Sequence, residues 1–151
     1  METVKKIGLI IIKCILGGIL IYGGIAKFSK PIPPPDKFLQ VSAEEKEELL
    51  KNVDELKIRN YIFGMKQSGF FWEFLGIAEI LAGVLLISQI FGFIGALIAF
   101  PQILNIFLFH LFLESHELDE LFLTGCYLLM NTLIFAAYYS KWKHLIKIKI
   151  L

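Results

Sequence analysis

Three stretches of this chain carry almost no charge, and their lengths constrain the fold more than any other feature. Ile7–Phe28 is broken only by Lys13 and Lys27, Phe70–Leu113 only by Glu73 and Glu79, and Leu121–Ser140 by no charge. An α-helix rises about 1.5 Å per residue, so about 20 residues cross a hydrocarbon core of about 30 Å. The middle stretch is about twice too long for one crossing, and Ser88-Gln89 with Gly92 near its centre offers a turn. The pattern predicts an all-α chain, a transmembrane four-helix bundle with helices near 7–28, 70–88, 91–113 and 119–140. Residues 1–151 then form a single membrane domain, and the long first extramembrane loop covers 29–69.

Composition agrees. Hydrophobic residues make up 56% of the chain and the mean hydropathy is +0.68, against about 45–50% apolar content in soluble domains. Lys5 and Lys6 ahead of the first stretch could open a signal peptide. The apolar run is longer than a signal core and no small-x-small cleavage site follows, so a retained helix is expected.

Charge in the loops orients the helices. Lys5, Lys6 and Lys13 lie on the side of Lys141, Lys143, Lys147 and Lys149, while the third loop, ESHELDE, has four acids and no base. Basic residues favour the cytoplasmic side. The first loop opposes this with eight bases from Lys27 to Lys66, among seven acids. Cytoplasmic termini are the favoured reading.

The first loop opens with KPIPPPDKF, a proline run that favours stiff extended chain. Ser42 to Glu45 fits a capping box, and Leu49, Val53 and Leu56 follow at helical spacing, which predicts a short amphipathic helix. That helix either rests on the bundle or headgroups, or forms a lid over a membrane cavity. Cys14 and Cys126 fall in opposite halves of the bundle, so no disulfide is expected. No metal-ligand spacing, phosphate loop or nucleophile elbow is present.

The polar residues inside the spans sort by depth. Lys27, Glu73, His110 and Glu114 fall near the outer ends of their helices. Tyr22, Glu79, Asn105 and Asn131 lie deeper, each about 9–18 Å in from the outer boundary. Glu73 and Glu79 are about 120° apart around their helix, with Gly76 and Gly83 between them, so a glycine groove open to a neighbouring helix is flanked by two carboxyls. Gln102, Asn105, Phe109 and Phe112 share one face of the third span. His110 and Glu114 share another about 140° away, and only a bend at Pro101 or a ligand spanning both tiers would unite the two.

Each residue also has a plainer explanation. Asn105 and Asn131 can pair helices, His110 and Glu114 can be an i,i+4 pair at the interface, and Lys13 and Lys27 can snorkel to the surface. Glu79 is the exception, because a carboxyl near the midplane costs about 2.5 kcal/mol or more unless protonated, paired or wet.

The segments YGGIAKF, EFLGIAEILAGVLL and PQILNIFLFHLFLE, in this order and with a long first loop, resemble the DoxX-like family of small four-helix membrane proteins. They match its G-x-x-K-F, E-x-x-x-G and P-x-x-x-N-x-x-x-x-H elements. The resemblance places Lys27, Glu79, Gly83, Pro101, Asn105 and His110 at the family's recurring positions. The family is named after a subunit of a membrane thiosulfate:quinone oxidoreductase, and other members associate with redox-stress complexes. The resemblance therefore implies a bacterial cytoplasmic-membrane protein, with other membrane-complex subunits or a second copy as partners.

The chain has no thiol pair or metal spacing with which to carry electrons itself, so an accessory or binding subunit is expected rather than a self-contained enzyme. Its cavity, between the first three spans, would hold a quinone-like or lipid-like molecule, with His110 and Asn105 bonded to its head and Lys27 and Glu79 setting the local charge. Quinone is the one cofactor implied. The lipid bilayer is the surrounding partner and no nucleic acid is expected. The alternatives are a membrane scaffold with no small ligand and a proton-coupled small-solute carrier.

Overall fold

A computed structural model describes residues 2–29, 47 and 52–146, with side chains from Thr3 to Tyr139 among them. The described residues form five helices and no strand: α1 (Glu2–Ala26), α2 (Val53–Gln67), α3 (Phe71–Ile87), α4 (Gly92–Phe112) and α5 (Leu118–Ile146). Helices α1, α4 and α5 contain spans long and apolar enough to cross a membrane, and the bent pair of α2 and α3 makes a fourth if counted as one span. The charge-free stretches thus locate the helices to within a few residues, except that α1 starts earlier and α5 runs on to Ile146.

The outward faces agree with these apolar lengths. Ile7, Ile11 and Ile15 on α1, Phe74, Ile77 and Leu81 on α3, and Leu97 and Leu108 on α4 are all large, apolar and exposed. A water-soluble helix would place charge there. The buried core is small by comparison and rich in alanine, with Leu16, Leu86, Ile103 and Ile134 as its largest apolar side chains.

Helix α1 packs along α3, α3 on α4, α4 on α5, and α5 touches α1. The first of these contacts is the closest. Gly17 and Gly24 on α1 meet Gly83 and Gly76 on α3, so near that a methyl on Gly83 would lie 2.5 Å from the Gly17 carbonyl oxygen and one on Gly24 would lie 2.6 Å from that of Gly76. The glycine groove expected on the second span is therefore filled by a matching pair on the first. Seven-residue spacing on both helices keeps the two contacts on one seam.

The α3–α4 connection uses the expected Ser88-Gln89 turn, with Gly92 opening α4. Gln89 adopts a left-handed backbone at φ 62°, unusual for a residue with a side chain. Its amide donates to the Ile87 carbonyl at 3.2 Å, satisfying one of the acceptors that a helix end leaves free.

Asn131 is fully buried on α5, and its Nδ2 donates to the Ala96 carbonyl of α4 at 3.2 Å, while its Oδ1 has no partner. This is interhelical glue with one acceptor unused. Asn131→Leu is expected to change stability by under about 1 kcal/mol, since membrane hydrogen bonds average about 0.6 kcal/mol. Thermal unfolding in detergent checks this, and a loss of several kcal/mol would show that the unused oxygen has a role.

Two expectations change. Lys13 does not snorkel: it is 3% exposed, with Nζ 3.4 Å from the Tyr138 hydroxyl and over its ring. Gly92, lacking a side chain, leaves room for the ammonium beside it. Tyr22 is 79% exposed and projects away from the other helices rather than joining the deeper polar group. Helical phase fixes relative angles, and the neighbours decide which angle points inward. The capping box at Ser42–Glu45, Leu49 and the proline run lie outside the described residues. In the described part of this loop Glu47 is helical, and α2 is capped by Asn52, whose Oδ1 accepts from the Glu55 N–H at 3.3 Å. Asp54 in its first turn is held below the usual carboxylate range by a hydrogen bond from Lys57 and by that residue's charge.

Candidate functional site: an apolar groove with an ion pair in its wall

Trp72, Gly76, Glu79 and Gly83 recur at i, i+4, i+7 and i+11, so one stripe of α3 carries them all toward α1. The glycines bring the backbones together and leave Glu79 beside the end of α1. Lys27 sits in the turn just past Ala26, and its Nζ lies 2.6 Å from Glu79 Oε2. The two side chains are 15% and 4% exposed. The expected separation of these residues into an outer and a deeper group is thus bridged by the lysine stem. Lys27 turns inward rather than to the surface, because an opposite charge in apolar surroundings attracts far more strongly than one in water.

Trp72 fixes the lysine from two directions. Its indole N–H donates to the Lys27 carbonyl at 3.2 Å, and its ring centroid lies 5.3 Å from the Lys27 ammonium. On the same ring stands Lys66 of α2, 4.8 Å from the centroid.

The ion pair forms part of the wall of a groove of about 820 Å³. Three helical stripes build the rest. Helix α2 contributes Tyr61, Ile62 and Met65; α3 contributes Phe71, Trp72, Phe74, Leu75, Ala78 and Glu79; α4 contributes Ile98, Pro101, Gln102, Asn105, Ile106 and Phe109. The α4 set keeps i, i+3, i+4 and i+7 spacing, which is the face expected to carry Gln102, Asn105 and Phe109. Phe112, expected on the same face, is 74% exposed.

Asn105 does not join two helices of the closely packed set. Its Oδ1 accepts from the Tyr61 hydroxyl at 2.9 Å, and the Tyr61 ring lies 5.5 Å from that of Phe109. Gln102 turns its Nε2 to the Ile98 carbonyl at 3.0 Å, leaving its buried Oε1 without a partner.

Behind the pair is a second, smaller cavity of about 110 Å³, bounded by Lys27 and Glu79 on one side and by Leu16, Ile103, Thr124 and Tyr127 among others. Lys27 and Glu79 therefore stand between two spaces.

Of the residues singled out in the sequence, Lys27, Glu79, Asn105 and Pro101 line the groove together. Gly76 and Gly83 support it from the α1 contact. Glu73, His110, Glu114, Tyr22 and Asn131 do not line it. His110 Nδ1 approaches Glu114 Oε2 to 2.9 Å, an ion pair when the histidine is protonated, although the approach is not aligned as a hydrogen bond. Glu73 has one buried oxygen without a partner. Tyr61, Trp72 and Lys66 were not singled out. Trp72 was legible in principle, seven residues before Glu79, whereas Tyr61 reaches Asn105 across 44 positions. Among the described residues no three His, Cys, Asp or Glu side chains converge as metal ligands.

The arrangement can hold an elongated apolar molecule against hydrophobic walls while offering hydrogen-bond donors, from the ammonium of Lys27 and the amide of Asn105, to a polar head. Comparison with family models, with curated proteins and with solved structures finds no match in any of the three.

Proposed function

We propose that the chain is a four-crossing integral membrane protein of DoxX-like character that binds a quinone-like or lipid-like molecule in the lateral groove, as an accessory subunit of a membrane redox complex. The observation that carries the binding is the groove itself: about 820 Å³, within the range of about 300–1,000 Å³ typical of small-molecule sites, and lined by apolar side chains with a few polar groups. Lys27 and Asn105 offer hydrogen bonds to the ligand's head, and the Glu79 carboxylate holds Lys27 in place. His110, outside the groove, sets the third loop through Glu114 rather than touching the ligand. The scaffold alternative has one observation in its favour, the Asn131 bond between α4 and α5.

Ala78 lines the groove, and Ala78→Trp would project an indole from the α3 wall into it, between Glu79 and the α4 face. Purified in detergent, the native protein is expected to retain lipid or quinone species visible by mass spectrometry, and Ala78→Trp to retain at least about tenfold less with unchanged helical content. Equal retention by both proteins, or none by either, would sink the binding role.

A further inference from the structure

We propose that α2 is a hinged lid on the groove and that Tyr61 is its latch, a reading that rests on the groove being a ligand site. None of the residues of α2 is buried, and its main helix contact is with α3, through few residues. It nevertheless supplies one wall of the groove through Tyr61, Ile62 and Met65. The element is thus part of the enclosure without being part of the core, and two of its attachments face the groove. At its middle it is held by the Tyr61 hydroxyl on Asn105 and by the tilted stacking of Tyr61 on Phe109. At its C-terminal end it is held by Lys66 on the Trp72 ring.

The joint to the fixed body has the chemistry of a hinge. Helices α2 and α3 meet at 86° across a break of Ser68, Gly69 and Phe70. Gly69 has φ +77° with no atom within 4 Å of where a side chain would start, so it is free of packing on that side. That backbone region suits glycine and little else. Ser68 ties the two helix ends locally: its hydroxyl donates to the Met65 carbonyl at 2.7 Å and accepts from the Phe71 N–H at 2.9 Å. Rotation about Gly69 leaves both helices intact. It moves Tyr61, two turns away, off Asn105 and opens the side of the groove.

The latch also explains how a ligand would be sensed. In the closed form Asn105 spends its oxygen on Tyr61 and keeps its NH₂ group for a guest. A head group that takes over Asn105 weakens the latch, and a tail that packs on Ile62 and Met65 strengthens the lid's other contacts.

Lid motion can be read without any ligand. With Cys14 and Cys126 replaced by alanine, spin labels at Gly64→Cys on α2 and Leu108→Cys on α4 report the lid-to-body distance by pulsed electron paramagnetic resonance in ligand-free nanodiscs. Gly64 is exposed with open space around it. The expected result is a dominant short distance and a minor longer one. Tyr61→Phe, which removes only the hydroxyl, should raise the longer population about fivefold, the equivalent of one ordinary hydrogen bond. Asn105→Leu should do the same from the other side. A single distance that neither variant alters would overturn the lid. Because no ligand is present, failure of the groove to retain a molecule in the mass-spectrometric test leaves this readout independent.

Discussion

Replacing Lys27 with methionine is expected to lower the thermal midpoint by about 10 °C. The change leaves the Glu79 carboxylate, 4% exposed, with no counter-charge, and breaking a buried pair from one side costs about 3–5 kcal/mol. For a chain of this size each kcal/mol moves the midpoint by about 2–4 °C. Two comparisons separate this from a simple packing loss. Lys27→Met combined with Glu79→Leu should recover most of the stability, because an apolar pair of similar volume has no charge to desolvate. Glu79→Leu alone should cost less than Lys27→Met alone. The stranded lysine lies just beyond the end of α1 and its flexible stem can carry the ammonium outward, whereas Glu79 is anchored well inside α3. Thermal unfolding in one detergent measures all three. A double variant no more stable than Lys27→Met would reject the ion pair as the cause.

Gly83→Ala is expected to destabilise by about 1–3 kcal/mol, and Gly83→Ile to yield no monodisperse protein. The new methyl would meet the Gly17 carbonyl oxygen at 2.5 Å and the Ile21 backbone nitrogen at 3.2 Å. Backbone atoms cannot rotate away as a side chain can, so the two helices must part along the seam, with the overpacking cost that follows. Gly18 supplies the control. It neighbours Gly17 in sequence, but has nothing within 4 Å of a built methyl, so Gly18→Ala should be neutral or slightly stabilising through helix propensity. Equal behaviour of Gly18→Ala and Gly83→Ala in a denaturation series would show that the α1–α3 contact is looser than its geometry.

Much of this is legible in the sequence, for a physical reason. Hydrocarbon-length apolar runs limit where helices can begin and end, and helical periodicity ties Gln102, Asn105 and Phe109 to one face. Glu79 stood out because a deep carboxyl demands a partner. Its partner was harder to see. Lys27 lies near a helix end, where outward snorkelling is the common outcome, and only the close α1–α3 seam brings Glu79 within its reach. Lys13 and Tyr22 failed for the complementary reason: a helix's phase says which residues lie together, while the identity of its neighbours says which face is inside. Tyr61 was invisible because its significance depends on an 86° bend at Gly69, and one glycine between Ser68 and Phe70 does not announce such an angle.

The lengths of α1 and α3 differ in a way that concerns the membrane more than the protein. Helix α3 has 17 residues, about 26 Å of rise, beside the 25 residues of α1, about 38 Å. Read as a crossing, α3 falls short of an average hydrocarbon core, while the apolar part of its neighbour, 7–26, matches one at about 30 Å once the charged first turns with Glu2, Lys5 and Lys6 are set aside. Hydrophobic mismatch of this kind is relieved by tilting the longer helix and thinning the bilayer around the shorter, each at fractions of a kcal/mol per ångström. The glycine seam holds the two helices in contact at both pairs of glycines, so α1 cannot move independently of α3. The lipid around α3 would then do the adjusting, and the protein would favour thin bilayers, with the pinch on the side where α2 bends away and the groove lies.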